Sequence, residues 1–157
     1  MEITLLVIGK TTSRPLSELT DEYIRRAARY TPFDMRVLPD VRNARALTPQ
    51  QRKQAEGKII LDSIQPSDFL MLLDERGKQF TSIAFAEMLQ KRMASGLKRL
   101  VFLVGGPYGF SQEVYDRADA KISLSTMTFS HEMVRLFFAE QIYRAMTILR
   151  GEPYHHE

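Results

Sequence analysis

Leu100-Val-Phe-Leu-Val104 runs directly into Gly105-Gly106-Pro107-Tyr108-Gly109-Phe110-Ser111, and Lys121-Ile-Ser-Leu124 runs into Ser125-Thr126-Met127-Thr128-Phe129-Ser130-His131. In both, a short apolar run breaks into small residues and then into a helical pattern. Leu100–Val104 shows no polar alternation, and neither does Phe69-Leu-Met-Leu-Leu73, so both are expected to be central strands covered on two faces. Residues 3–8, 33–38 and 121–124 are further strands, bounded by Gly, Pro, Asp or Ser. Between the strands, residues 16–30, 48–64, 82–95 and 111–118 read as helices, and 131–150 closes the series. This alternation predicts an α/β domain, a mostly parallel sheet flanked by helices, over residues 1–157.

Thr48-Pro49 reads as an N-cap followed by proline at the first helical position, and Ser111 as a simple cap. Gly96 and Gly151 stand where helices should end. The last helix is apolar around most of its circumference, from Met133 through Phe137 and Phe138 to Leu149. Such a helix needs cover on more than one side. A second copy of the chain is the cover expected here, giving a homodimer; neighbouring helices are the alternative. Glu140 and Arg144, four residues apart, should form a partly shielded ion pair.

Cysteine is absent, which excludes disulfides, zinc-thiolate sites and thiol catalysis. No run approaches the ~18 apolar residues of a membrane span, and the opening Met1-Glu2-Ile3-Thr4 lacks the features of a signal peptide, so a cytoplasmic protein is expected. The net charge of +3 permits nucleic-acid binding without requiring it. Its distribution says more: Arg42, Arg45, Arg52, Lys53 and Lys58 face only Asp40 and Glu56 in the same segment, and Arg25, Arg26 and Arg29 cluster elsewhere. A phosphate-contacting face and a solvated helix face both fit this pattern.

Val7-Ile-Gly9-Lys10-Thr11 imitates the end of a phosphate-binding P-loop, but the required first glycine would fall at Thr4, inside a strand. Nucleotide hydrolysis is therefore not expected. The turn Gly105–Gly109 is no dinucleotide fingerprint either. Its glycines would let a flat ligand approach the backbone, although an ordinary strand-to-helix turn also uses glycine. The loop Leu124–Phe129 offers hydroxyls, apolar side chains and backbone groups suited to an adenine-like ring, or else is a polar loop before a helix. Leu73-Asp74 ends a third strand at the same carboxyl edge, where open α/β sheets place ligands. His131, Arg135, Tyr154, His155 and His156 form a polar group without metal-ligand spacing; an anionic polymer accounts for them together.

In their order along the chain, Gly105-Gly-Pro-Tyr-Gly109, Leu124-Ser-Thr-Met-Thr-Phe-Ser-His131, Arg135, Glu140-Gln-Ile-Tyr-Arg144 and Pro153-Tyr-His155 closely resemble the RlmH family, ribosomal RNA large-subunit methyltransferases of the SPOUT class. The resemblance covers the whole chain; Ser130 stands where relatives commonly carry proline. It implies a C-terminal trefoil knot, an exception to ordinary topology, and an obligate homodimer without metal or membrane. S-adenosyl-L-methionine would bind at Leu73, Gly105, Leu124, Ser125, Thr126, Met127, Thr128 and Phe129. The implied reaction is methylation at N3 of a pseudouridine in 23S rRNA, on the assembled ribosome. Tyr154 and His155 would position the base and Arg135 would hold phosphate, with His131 a further candidate to help proton removal. A non-catalytic ribosome- or RNA-binding protein and a SPOUT enzyme acting on tRNA are the competing readings.

Overall fold

The computed structural model describes residues 1–156; Glu157, the end of the tail, lies outside them. Strands β1 (Glu2–Ile8), β2 (Phe33–Leu38), β3 (Phe69–Gln79), β4 (Arg99–Val104) and β5 (Ala120–Ser123) form one sheet in the order β2-β1-β4-β3-β5. Every pairing is parallel. Helices α1 (Arg14–Ala28), α3 (Ser82–Ala94) and α5 (Met133–Leu149) cover one face, while α2 (Pro49–Ser63) and α4 (Gln112–Arg117) cover the other. A parallel sheet needs this double cover, because each crossover lays a helix on one face or the other.

The central strands divide their side chains between two cores. Leu100, Phe102 and Val104 of β4 face α3 and α5, whereas Val101 and Leu103 face α2 and α4. Phe102 and Phe138 pack with ring centroids 4.6 Å apart at the centre of the larger core. The α/β architecture expected from the alternating runs is thus the one observed. No helix among the described residues is long and apolar enough to cross a membrane.

Helix ends follow local chemistry. Thr48 caps α2, and Gln51 completes a reciprocal capping box that Thr48-Pro49 alone did not announce. The Ser111 hydroxyl accepts from the Val114 amide. Before α5, the Ser130 hydroxyl accepts from the Met133 amide at 3.1 Å, so serine caps this turn in place of proline. Within the single chain α5 is wedged between α1 and α3, which buries Phe138, Ala139, Ile142 and Ala145; Phe137 remains 39% exposed. Glu140 and Arg144 form the expected ion pair at 2.6 Å, partly shielded.

β3 departs from expectation. The apolar run ends at Leu73, yet the strand continues to Gln79. Its register against β5 shifts there: Leu73 pairs with Ile122, and so does Lys78. The intervening Asp74-Glu75-Arg76-Gly77 bulges outward and brings Gly77 directly over β5. A Cβ on Gly77 would lie 2.6 Å from both the nitrogen and the carbonyl carbon of Ile122. Only glycine fits that crossing.

A second lock joins the two ends of the chain. Arg135, 1% exposed on α5, donates from Nη2 to the Ile8 carbonyl and from Nη1 to the Gly9 carbonyl, both at 2.9 Å, and to Thr11 Oγ1. Burial pulls its guanidinium below the ordinary arginine value, with Glu132 and Asp40 opposing that shift. Glu132 works alongside it, accepting from the Thr12 and Ser13 amides and the Thr12 hydroxyl. Together they pin the loop between β1 and α1 to the start of α5.

Gly77→Ala should lower the unfolding free energy by about 1–3 kcal/mol, the usual cost of forcing a methyl into a filled site. Urea denaturation measures this, and a change below ~0.5 kcal/mol would mean the strand crossing is not tight. Arg135→Ala leaves two buried carbonyls without donors and opens a cavity. It should cost about 3 kcal/mol in the same assay, with no RNA present.

Candidate active site

Because all five strands run the same way, the loops after β3, β4 and β5 emerge at one edge. They enclose a crevice of about 780 Å³. Leu73 to Arg76 supply one wall, Val104 to Phe110 the second, and Ile122 to Ser125 with Met127 to His131 the third. Val134 of α5, Tyr115 of α4 and Lys53 of α2 complete it.

Of the expected cofactor residues, Leu73, Gly105, Leu124, Ser125, Met127, Thr128 and Phe129 line this crevice, and Thr126 does not. His131 stands at its edge, exposed. Much of the hydroxyl loop's polarity is spent on its own shape. Ser123 Oγ donates to the Ser125 carbonyl at 2.8 Å, and Ser125 Oγ accepts from the Met127 amide at 3.0 Å. Phe129 packs on Phe137, with centroids 5.1 Å apart.

The glycine turn is shaped from behind. A Cβ on Gly105 would meet the Phe110 ring at 2.8 Å, and one on Gly106 would meet both Glu56 carboxylate oxygens at 2.6 Å. Protein packing therefore already demands glycine at both positions, before any ligand approaches. Gly109, at φ +83°, closes the turn by donating its amide to the Gly106 carbonyl. Glu56 itself is 3% exposed, and its burial raises the carboxyl above the ordinary glutamate value although Arg52 opposes the shift.

Asp74 gives the crevice a negative wall. It accepts from Tyr115 Oη at 2.6 Å and from the Arg76 amide at 2.9 Å. Burial alone would raise the Asp74 carboxyl, but these two bonds together with the nearby Lys121 and Arg76 charges outweigh it and hold the group below the usual carboxylate range. Burial and the bond to Asp74 push the Tyr115 phenol up to about 12. At neutral pH the pair is a carboxylate held by a neutral phenol. Apolar side chains, backbone loops and a fixed carboxylate fit a nucleoside that carries positive charge. No group of three or more His, Asp or Glu among the described residues is placed to hold a metal ion.

The tail lies elsewhere. Glu140 accepts from Arg144 Nη2 at 2.6 Å and from Tyr154 Oη at 2.9 Å, and Arg144 Nη1 lies 3.1 Å from His155 Nδ1. The Tyr154 ring packs edge-on to Tyr143 at 4.7 Å. Burial, followed by hydrogen bonding with Tyr23 and Glu140, pushes the Tyr154 phenol far above the ordinary tyrosine value. Tyr154 therefore keeps its proton at neutral pH, with the hydroxyl hydrogen directed at the Glu140 carboxylate. Neither Tyr154 nor His155 lines the crevice of its own chain. The nearest link is a smaller pocket of about 300 Å³ that Glu140 borders and that shares Ile122 to Leu124 and Phe129 with the crevice.

Arg135 is not where a phosphate-holding side chain would stand, since its guanidinium is buried on backbone carbonyls. The sequence reading grouped it with His131, Tyr154 and His155; the structure divides that group between a crevice edge, a buried clamp and a remote tail. Tyr115 was missed altogether, because one aromatic on a short helix carries no motif. The basic segment around residues 42–58 was noticed, but not that Lys53 would reach the crevice.

Comparison with known proteins agrees with this geometry. The model of the family described as "Predicted SPOUT methyltransferase" matches residues 1–155. A protein of Parabacteroides distasonis named ribosomal RNA large subunit methyltransferase H is 57% identical over 157 residues, the whole of both chains. Proteins of the same name from Christiangramia forsetii (57% identical, 99% of each chain) and Flavobacterium johnsoniae (54%, the whole of both) are similar throughout. With its crevice at three parallel strand ends and its length matched almost throughout, this chain belongs to the SPOUT methyltransferase family.

Proposed function

We propose that this chain transfers a methyl group from S-adenosyl-L-methionine to N3 of a pseudouridine in 23S rRNA, acting on the assembled ribosome as a cytoplasmic homodimer. The observation that carries the reading is the crevice at the carboxyl ends of β3, β4 and β5, with backbone loops on two sides and Asp74 on the third. The relatives named ribosomal RNA large subunit methyltransferase H support the substrate class. The trefoil knot belongs to the same reading. The route of the chain supports it: after β5 at the sheet edge, α5 returns to pack on α1, tied there by Arg135 and Glu132.

S-adenosyl-L-methionine, when bound, supplies an electrophilic methyl on a sulfonium. The residues around it have plain tasks. Leu73, Leu124 and Phe129 provide apolar cover, and the backbone of Gly105, Ser125, Met127 and Thr128 provides hydrogen-bonding groups. Asp74, kept ionised, favours a cation in the crevice. N3 of the nucleobase must lose its proton as the N–C bond forms and the S–C electron pair returns to sulfur. We assign acceptance of that proton to His131, which lines the crevice edge. Alignment of nucleophile and methyl supplies most of the rate.

The homodimer reading rests on what one chain leaves open. Met127 is 74% exposed, and Phe129 and Phe137 form an exposed apolar pair beside the smaller pocket. The Tyr154–His155 tail, remote from its own crevice, can position a nucleobase only if a second copy brings it to the crevice of the first. In that arrangement Tyr154, its hydroxyl already donating to Glu140, offers the nucleobase its ring and an accepting oxygen, and His155 orients the base.

Ribosomes from a strain lacking this protein, incubated with it and methyl-labelled S-adenosyl-L-methionine, should gain one methyl per 23S rRNA. Mass spectrometry should place it on N3 of a pseudouridine; no incorporation, or incorporation only into tRNA, sinks the reading. Asp74→Asn should weaken S-adenosyl-L-methionine binding about tenfold, the equivalent of ~1.4 kcal/mol. Calorimetry measures it, and unchanged affinity would remove the carboxylate from the cofactor's environment.

A further inference from the structure

At the rim of the crevice a buried carboxylate holds an arginine, and the arginine holds an exposed aromatic ring. Glu56 lies beneath the glycine turn, its side chain 4% exposed, and pairs with Arg52 Nε at 3.5 Å. The Arg52 guanidinium in turn sits 5.7 Å from the centroid of the Tyr108 ring. Tyr108 is 50% exposed and lines the crevice, at the tip of the Gly106–Gly109 turn. The next residue on α2, Lys53, lines the crevice as well.

The basic side chains of the same segment are uncommitted. Arg42, Arg45, Lys53 and Lys58 make no ion pair among the described residues, although seven other pairs form. The two acidic residues of the segment are turned to other tasks. Glu56 is buried, and Asp40 lies against Gly9, where an added Cβ would meet its carboxylate at 2.7 Å. A half-exposed ring steadied by an arginine, with the unpaired Lys53 lining the same crevice, has the chemistry of a nucleotide platform: a base stacks on the ring and a phosphate meets the cation.

We propose that Tyr108, braced by Arg52 and Glu56, is a stacking platform for an RNA base beside the crevice, with Lys53 contacting the adjoining phosphate. This rests on the reading of the chain as an rRNA methyltransferase and adds where the RNA docks. The cofactor is the other ligand that could use the ring. The charge argues against it, because S-adenosyl-L-methionine carries a sulfonium and gains nothing from the unpaired Lys53 beside the ring, whereas a phosphate backbone does.

The test compares steady-state methylation of large-subunit ribosomes lacking the modification with calorimetry of S-adenosyl-L-methionine. Tyr108→Ala and Lys53→Ala should each raise KM for ribosomes about tenfold, while kcat and cofactor affinity stay within about twofold. Tyr108→Phe, which keeps the ring, should restore the wild-type KM. Lys53→Ala should also flatten the salt dependence of ribosome binding by about one unit of slope. An unchanged KM in Tyr108→Ala, or a parallel loss of cofactor affinity, overturns the platform while leaving the proposed function intact. Wild-type protein that neither binds nor methylates the ribosomes overturns both.

Discussion

Arg135 donates to the carbonyls of Ile8 and Gly9 from the first turn of α5, so the end of the first strand and the start of the last helix cannot move apart independently. Much else follows from that attachment. The loop between β5 and α5 has to leave the sheet edge and return beside β1, and this path makes it a wall of the crevice. Glu132, one turn of chain earlier, fixes the same junction from the solvent side through Thr12 and Ser13. A buried guanidinium without a directly bonded carboxylate is costly, and three hydrogen bonds to oxygen offset that cost. The expense fits a site whose third wall is otherwise an exposed loop.

The glycines of the crevice show how backbone walls are made. Gly105 and Gly106 are pressed by Phe110 and Glu56, and Gly77 by the β5 backbone. In each case the missing side chain brings two pieces of protein together, and the ligand-facing surface is a consequence. A wall made of peptide groups varies little with side-chain identity. Its shape depends on the residues behind it, which places Phe110, Glu56 and Ile122 among the determinants of the crevice although only two of the three line it.

Most of the sheet was legible because buried parallel strands are written as unbroken apolar runs, and the intervening helices carry caps at Thr48 and Ser111. The second half of β3 was not. Asp74-Glu75-Arg76-Gly77-Lys78 has no apolar pattern because it pairs only with the short edge strand β5 and faces no core. Arg135 was misread for a physical reason: arginine is rarely buried, so the prior for a surface contact is strong. The separation of the tail from His131 was illegible in a different way. Motif order along a chain says nothing about which face of α5 a later segment packs on, and the contacts of Tyr154 with Tyr143 and Glu140 settle that only in three dimensions.

Charge is divided inside this one crevice, and the division suits a reaction between two unlike partners. Asp74 with its phenol partner, Glu75 and Arg76 make the β3 side net negative, and the unpaired Lys53 reaches the crevice from α2. A methyl donor with a sulfonium and an RNA with phosphates would be drawn to opposite walls by the same field. Each would also be discouraged from the other's place, which orders the two without a moving part. With a sulfonium donor, transfer would remove the positive charge from sulfur, and the attraction of Asp74 for the donor would weaken once the methyl had left. Product release on that side would then be favoured by the chemistry itself, while a hold on the RNA through Lys53 would be unchanged and would have to be broken by other means.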